Sequence, residues 1–198
     1  MERGSLESAA AIYYHLRGLL SIPVGAVIIL AGLGNLAWGP LRHAWVFMGC
    51  LLVAAAAYLV SARYYNENYG RVTLSARAQI RGAVATAVSA VVVAAGVQTD
   101  WSLDLPLSFT AASFALIMVV YYAVGVGLRA HHAIICGALL AAGLVPVWGG
   151  AGGDSKINLG LILAGVATIA TGIFDHRALH RAFRPSEEPT IGNSNAQA

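Results

Sequence analysis

Charge is scarce in this chain: Asp, Glu, Lys and Arg make up 11% of its residues, against about 25% in soluble domains. That shortage excludes an ordinary water-soluble globule. Lysine is almost missing, with Lys156 alone beside eleven arginines. The net charge is +3, and the basic residues flank apolar blocks without forming a patch that could follow a phosphate backbone, so no nucleic-acid partner is expected. Cysteine is limited to Cys50 and Cys136. Both fall inside apolar blocks, at depths on the order of 15 Å apart along the bilayer normal at ~1.5 Å per residue. A disulfide needs its Cα atoms within about 7 Å, so two free thiols are expected. No Asp, Glu, Lys, Arg or His falls in the interior of an apolar block, whereas pumps and ion-coupled transporters place such groups at mid-membrane despite a cost of roughly 2.5–3.5 kcal/mol each. Known membrane-enzyme signatures are missing too: the paired aspartates after Asp-Gly of CDP-alcohol phosphotransferases, the Ser-Gly-His of lipid phosphatases and the Gly-x-Ser-Gly of rhomboid proteases. No cofactor is expected.

What remains is hydrophobic, at 58% of residues and a mean hydropathy of +0.70. The apolar material comes in blocks near the ~20 residues that cross about 30 Å of hydrocarbon. Six spans are expected: Leu19 to Trp38, Ala44 to Ala62, Gly82 to Val97, Leu105 to Gly127, Ala133 to Trp148 and Ile157 to Phe174. The fold class is therefore all-α, a polytopic membrane protein whose six transmembrane helices form a compact bundle. Residues 1–18 form an N-terminal segment, 19–174 the membrane domain, 175–185 a basic helix end and 186–198 a disordered tail. The full length of the first block reads as an uncleaved span, not a signal peptide.

Basic residues are retained on the cytoplasmic side of short loops. One side receives Arg3, Arg17, Arg63, Arg71, Arg77, Arg81, Arg129, Arg177, Arg181 and Arg184, and the other receives only Arg42 and Lys156. Both termini are thus expected in the cytoplasm. Trp38, Trp45, Trp101 and Trp148 fall at the opposite ends of the spans, as an outer aromatic belt would. Arginine in place of lysine, with abundant Ala and Gly, suggests a GC-rich genome and a bacterial cytoplasmic membrane. Six spans in 198 residues with both ends inside resemble, in size and topology, the substrate-binding subunits of energy-coupling-factor transporters.

Close helix approach in lipid uses small residues at helical spacing. Gly18, Gly25 and Gly32 recur every seven residues; Gly82, Thr86, Ala90 and Ala94 form a stripe, as do Ala133, Gly137 and Ala141, and Gly160, Ala164, Thr168 and Gly172. The third, fifth and sixth spans are expected in the interior, with the bulkier second and fourth facing lipid.

Chemistry-bearing groups gather on the inner side. Arg63, Tyr64, Tyr65, Glu67, Tyr69 and Arg71 combine guanidiniums, phenols and one carboxylate around Asn66 and Asn68, a set suited either to a phosphorylated headgroup or to a juxtamembrane turn. From Val72 to Arg81 apolar and polar residues alternate strictly. That pattern suits a docked extended segment, but without a ladder partner a helical lead-in is favoured. Arg77, Arg81, Arg177, Arg181 and Arg184 are placed to contact lipid phosphates, so anionic lipids are expected partners. His176 and His180 stand four apart with Asp175 adjacent and could chelate a metal, but flanking arginines repel a cation and no Cys or Glu completes the set. On the outer side, Asn35 with Trp38, Trp101 and Trp148 outlines a candidate pocket. Three functions follow in order: a non-catalytic partner, regulator or accessory subunit of another membrane protein, or a homo-oligomer, acting through the Arg/Tyr-rich inner face; a binding or facilitating subunit for a small solute; and a lipid-headgroup-modifying enzyme centred on Glu67.

Overall fold

A computed structural model describes residues 17–69, 76–125, 127–146 and 148–182. The described chain is all-helical. A 3-10 turn at Gly18–Leu20 leads into α1 (Ser21–Asn35), and a second at Gly39–Arg42 precedes α2 (Ala44–Asn68). Then follow α3 (Ala76–Ser102), α4 (Phe109–Gly125), α5 (Ala130–Leu144) and α6 (Gly153–Ala182). Such helices suit a medium without water, because the backbone amides beyond the first turn are satisfied within their own segment. Four stretches are long and apolar enough to cross a membrane: Gly18–Asn35, Ala44–Asn68, Gln79–Ser102 and Gly153–Arg181. The chain is therefore a helical, multi-pass, membrane-type protein. Cys50 and Cys136 are free thiols.

The centre of the bundle is α6, which packs directly on α1, α3, α4 and α5. Its seam with α1 explains the seven-residue glycine spacing. A Cβ on Gly25 would lie 2.6 Å from the carbonyl oxygen of Gly165, and one on Gly165 would lie 2.6 Å from that of Gly25. Gly18 meets Gly172 in the same way, and Gly32 meets the Asn158 carbonyl at 2.7 Å. Partner numbers fall on α6 as they rise on α1, so the helices are antiparallel and in backbone contact along the whole of α1. Removing side chains from both faces lets dispersion forces act between the main chains, which is what holds helices together where no hydrophobic effect operates between them.

Two expectations about packing need correction. The interior is built by α4, α5 and α6 around Ala111, Ala115, Met118, Tyr122, Cys136, Leu139, Ala164 and Ala167, so the fourth helix is inside and the third is peripheral. Size on one face decides this, not average bulk. On α4 the small and polar Thr110, Ala111, Ser113 and Ala115 turn inward, while Leu116, Val120, Tyr121 and Val124 face out. The α3 stripe Gly82, Thr86, Ala90 and Ala94 is exposed, and so is the α5 stripe Ala133, Gly137 and Ala141.

The helices also outrun the hydrophobic blocks. α3 continues to Ser102 and so contains Asp100; α6 begins before Lys156 and continues past Asp175 and His176. Ionisable groups thus lie within helices, and Asp100, His132, Lys156 and Asp175 are buried. Residues 76–81 are helical, while residues 72–75 of the alternating segment lie outside the described residues.

Candidate functional site

Two polar layers close the ends of the bundle. At the Trp101 end, Asp100 turns back on the helix that follows its own. Its Oδ1 accepts the Phe109 amide and its Oδ2 the Thr110 amide, both at 2.8 Å. These are first-turn donors of α4 that have no partner within the helix, and a carboxylate suits the positive end of the helix dipole. Lys156, 1% exposed, donates from Nζ to the carbonyls of Leu103 at 3.2 Å and Leu105 at 3.0 Å, with Asp104 at 3.9 Å. These contacts clamp the α3–α4 connection to α6, while the buried Thr110 hydroxyl has no hydrogen-bond partner among the described residues.

The same end holds the expected outer pocket, whose members take separate positions. The Asn35 amide donates to Oδ1 of Asn158 at 3.1 Å, Trp38 and Trp101 are 63% and 64% exposed, and the Trp148 indole donates to the Ala142 carbonyl. Asn35 therefore ties α1 to α6. Asn35→Ala should lower unfolding free energy in mild detergent by about 0.6 kcal/mol, the average for such bonds between membrane helices. A loss of roughly 2 kcal/mol or more would mean that it does something else.

At the opposite end, α6 presents two successive residues to two different neighbours. His176 Nδ1 lies 3.0 Å from the Tyr65 hydroxyl, which also accepts the Leu19 amide at 3.0 Å. Tyr65 is fully buried, with the Tyr64 and Tyr69 rings around it. Of the expected Arg/Tyr cluster, Tyr64 and Tyr65 thus meet His176 and Tyr69 packs on both of them, while Arg63 and Glu67 form an exposed pair at 3.9 Å. Arg71 and Arg184 lie outside the described residues, and Arg77, Arg81, Arg177 and Arg181 are exposed. His180 is exposed as well, and His176 is taken up by Tyr65.

The residue before His176 builds the most concentrated site. Asp175, 1% exposed, receives two imidazoles from the first turn of α5 on a single oxygen. His132 Nε2 is 2.7 Å and His131 Nε2 is 3.2 Å from Oδ1. Tyr122 stacks on His132 with ring centroids 3.8 Å apart and planes 13° from parallel, and Phe174 lies against His131 at 5.4 Å. The Arg129 amide approaches His132 Nδ1 at 3.4 Å, which favours the tautomer with its proton on Nε2, pointed at Asp175. Gly127, at φ +80°, is the residue that lets the chain turn from α4 toward these histidines. The three donor atoms lie within 4.8 Å of one another.

Sequence reasoning did not join these histidines to Asp175, because 43 residues separate His132 from Asp175. The available signal was an acid inside an otherwise basic helix end, which needs a partner when the helix is buried there. Comparison with protein-family models, curated proteins and solved structures finds no match to this chain.

Proposed function

We propose that the chain is a six-span protein of a bacterial cytoplasmic membrane, with both ends in the cytoplasm, that serves another membrane protein as a non-catalytic partner. The arginine distribution supports the orientation. It puts the Asp175 layer on the inner side and the Lys156 layer on the outer side. α4 and α5 are short, at 17 and 15 residues, or roughly 25 and 22 Å at ~1.5 Å per residue. As the fourth and fifth crossings they pack on each other and on α6, with α3 against α4, and local thinning with snorkelling of Arg129 makes up the difference.

The observation that carries the partner reading is the α3 stripe. Gly82, Thr86, Ala90 and Ala94 are all exposed, and a Cβ at Gly82 would meet nothing within 4 Å. The equally regular glycines of α1 are fully used by α6. A smooth helical track of this kind accepts a transmembrane helix in backbone contact, and Arg77 and Arg81 at its inner end add a charged flank for the partner or for anionic lipid.

A photo-crosslinking side chain at Ala90 in native membranes should give an adduct with a distinct membrane protein, lost in Gly82→Leu. The same probe at Leu52, 68% exposed on α2, should label lipid only. Equal protein adducts from both positions would overturn the docking surface, and an adduct only with a second copy would reassign it to self-association.

A further inference from the structure

We propose that His131, His132 and Asp175 form a binding site for a divalent transition cation of the Zn2+ class. The three donors converge from two helices, and the two imidazole nitrogens stand 3.2 and 2.7 Å from one carboxylate oxygen. Ligands of a tetrahedral zinc, each about 2.0–2.2 Å from the metal, stand roughly 3.3–3.5 Å apart. The two nitrogen–oxygen separations would have to lengthen slightly to reach that spacing, and all three donor atoms already lie within 4.8 Å of one another. A helix–helix clamp requires one imidazole on the carboxylate; the second is surplus to packing but completes a set of three ligands. Two imidazoles with one carboxylate favour zinc-like cations over Mg2+ or Ca2+, which prefer all-oxygen shells.

The surroundings suit the role. His132 and Asp175 have side chains 0% and 2% exposed, whereas His131 keeps 23%. That leaves an approach for the ion and a fourth position for water. Tyr122 and Phe174 wall the site with aromatic rings, which hold the imidazoles in orientation. The ion-pair partners of Asp175 among the described residues are these two histidines. Metal on Nε2 of His132 requires the ring proton to sit on Nδ1. The ring stays neutral, and the contact with the Arg129 amide, already at the long limit of a hydrogen bond, is released.

The test uses the full chain without a histidine tag, purified in mild detergent and stripped with chelator. Titration with Zn2+ alone should saturate at one ion per chain and raise the unfolding temperature. Co2+ should give the visible absorption of a low-coordinate site, and the Arg129 amide should shift. Asp175→Asn should weaken binding at least 10-fold. Because Asp175→Asn also disturbs a buried helix contact, His131→Gln is the decisive variant. Its side chain is partly exposed, so metal-free unfolding should match the parent while the zinc-dependent gain disappears. Absence of saturable binding, or one-to-one binding that His131→Gln leaves unchanged, overturns the proposal. Neither result bears on the α3 docking surface.

Discussion

Gly165→Val should prevent α1 from seating on α6. The added Cβ would meet the Gly25 carbonyl oxygen at 2.6 Å and the Ile29 side chain at 2.6 Å. The side chain can turn away, but the carbonyl belongs to a helix backbone and cannot. The helices must therefore separate by an ångström or more, and separation is felt at every glycine of the seam, since Gly18 and Gly32 are held in the same register. Overpacking a core costs about 1–3 kcal/mol when side chains can adjust. A clash between two backbones belongs in the range above about 4 kcal/mol, a large part of a typical domain's stability. Gly25→Val should match it, being the same collision seen from the other helix. Gly137→Val should be nearly silent, because nothing lies within 4 Å of a Cβ there. Denaturant unfolding in detergent, followed by helical content and proteolysis of α1, distinguishes the two outcomes. Parity between Gly165→Val and Gly137→Val would mean that the seam does not exist.

Asp100→Ala ranks second. It leaves the Phe109 and Thr110 amides without acceptors in a layer closed to water, since Asp100 and Thr110 are 2% and 0% exposed. Each buried donor so orphaned costs about 1–3 kcal/mol, and loss of an N-terminal cap alone costs about 0.5–2 kcal/mol. An overall loss of about 2–4 kcal/mol is expected, with hydrogen exchange accelerating first at the Phe109 and Thr110 amides. Asp100→Asn keeps one acceptor oxygen and should lose about half as much. A change below about 0.5 kcal/mol for the alanine variant, within the range of ordinary surface substitutions, would show that water replaces the carboxylate.

The distance between sequence and structure follows a physical line. Helicity, membrane character and the glycine period of α1 were legible because they are local: hydropathy accumulates within a helix, and a seven-residue spacing marks one face. Which stripe meets which helix was not legible. Three stripes looked alike, and only the matching spacing of Gly165 and Gly172, opposite Gly25 and Gly18, distinguishes a used seam from the open tracks on α3 and α5. The apolar blocks are free of ionisable groups as read, but hydropathy locates only the greasy middle of a helix, while hydrogen bonding carries the helix further, through Asp100, Lys156, Asp175 and His176. Asp100 and Lys156 read as connections and Asp175 as the start of a basic helix end, and all three are buried. The site on Asp175 was hidden for the same reason, since its members gather only after α5 and α6 have docked.

The position of α6 at the centre also sets an order of events during synthesis. Every neighbour of α6 leaves the ribosome before it does, so α1 waits in the membrane with its glycine face unmated until the final helix arrives. Translation at about 5–20 residues per second makes that wait several seconds or longer. During that interval the first helix is open to capture by any other smooth helix in the bilayer. Quality control of this protein should therefore depend on what shields α1 until α6 is complete, and truncation before Gly165 should leave the first helix available to the wrong mate.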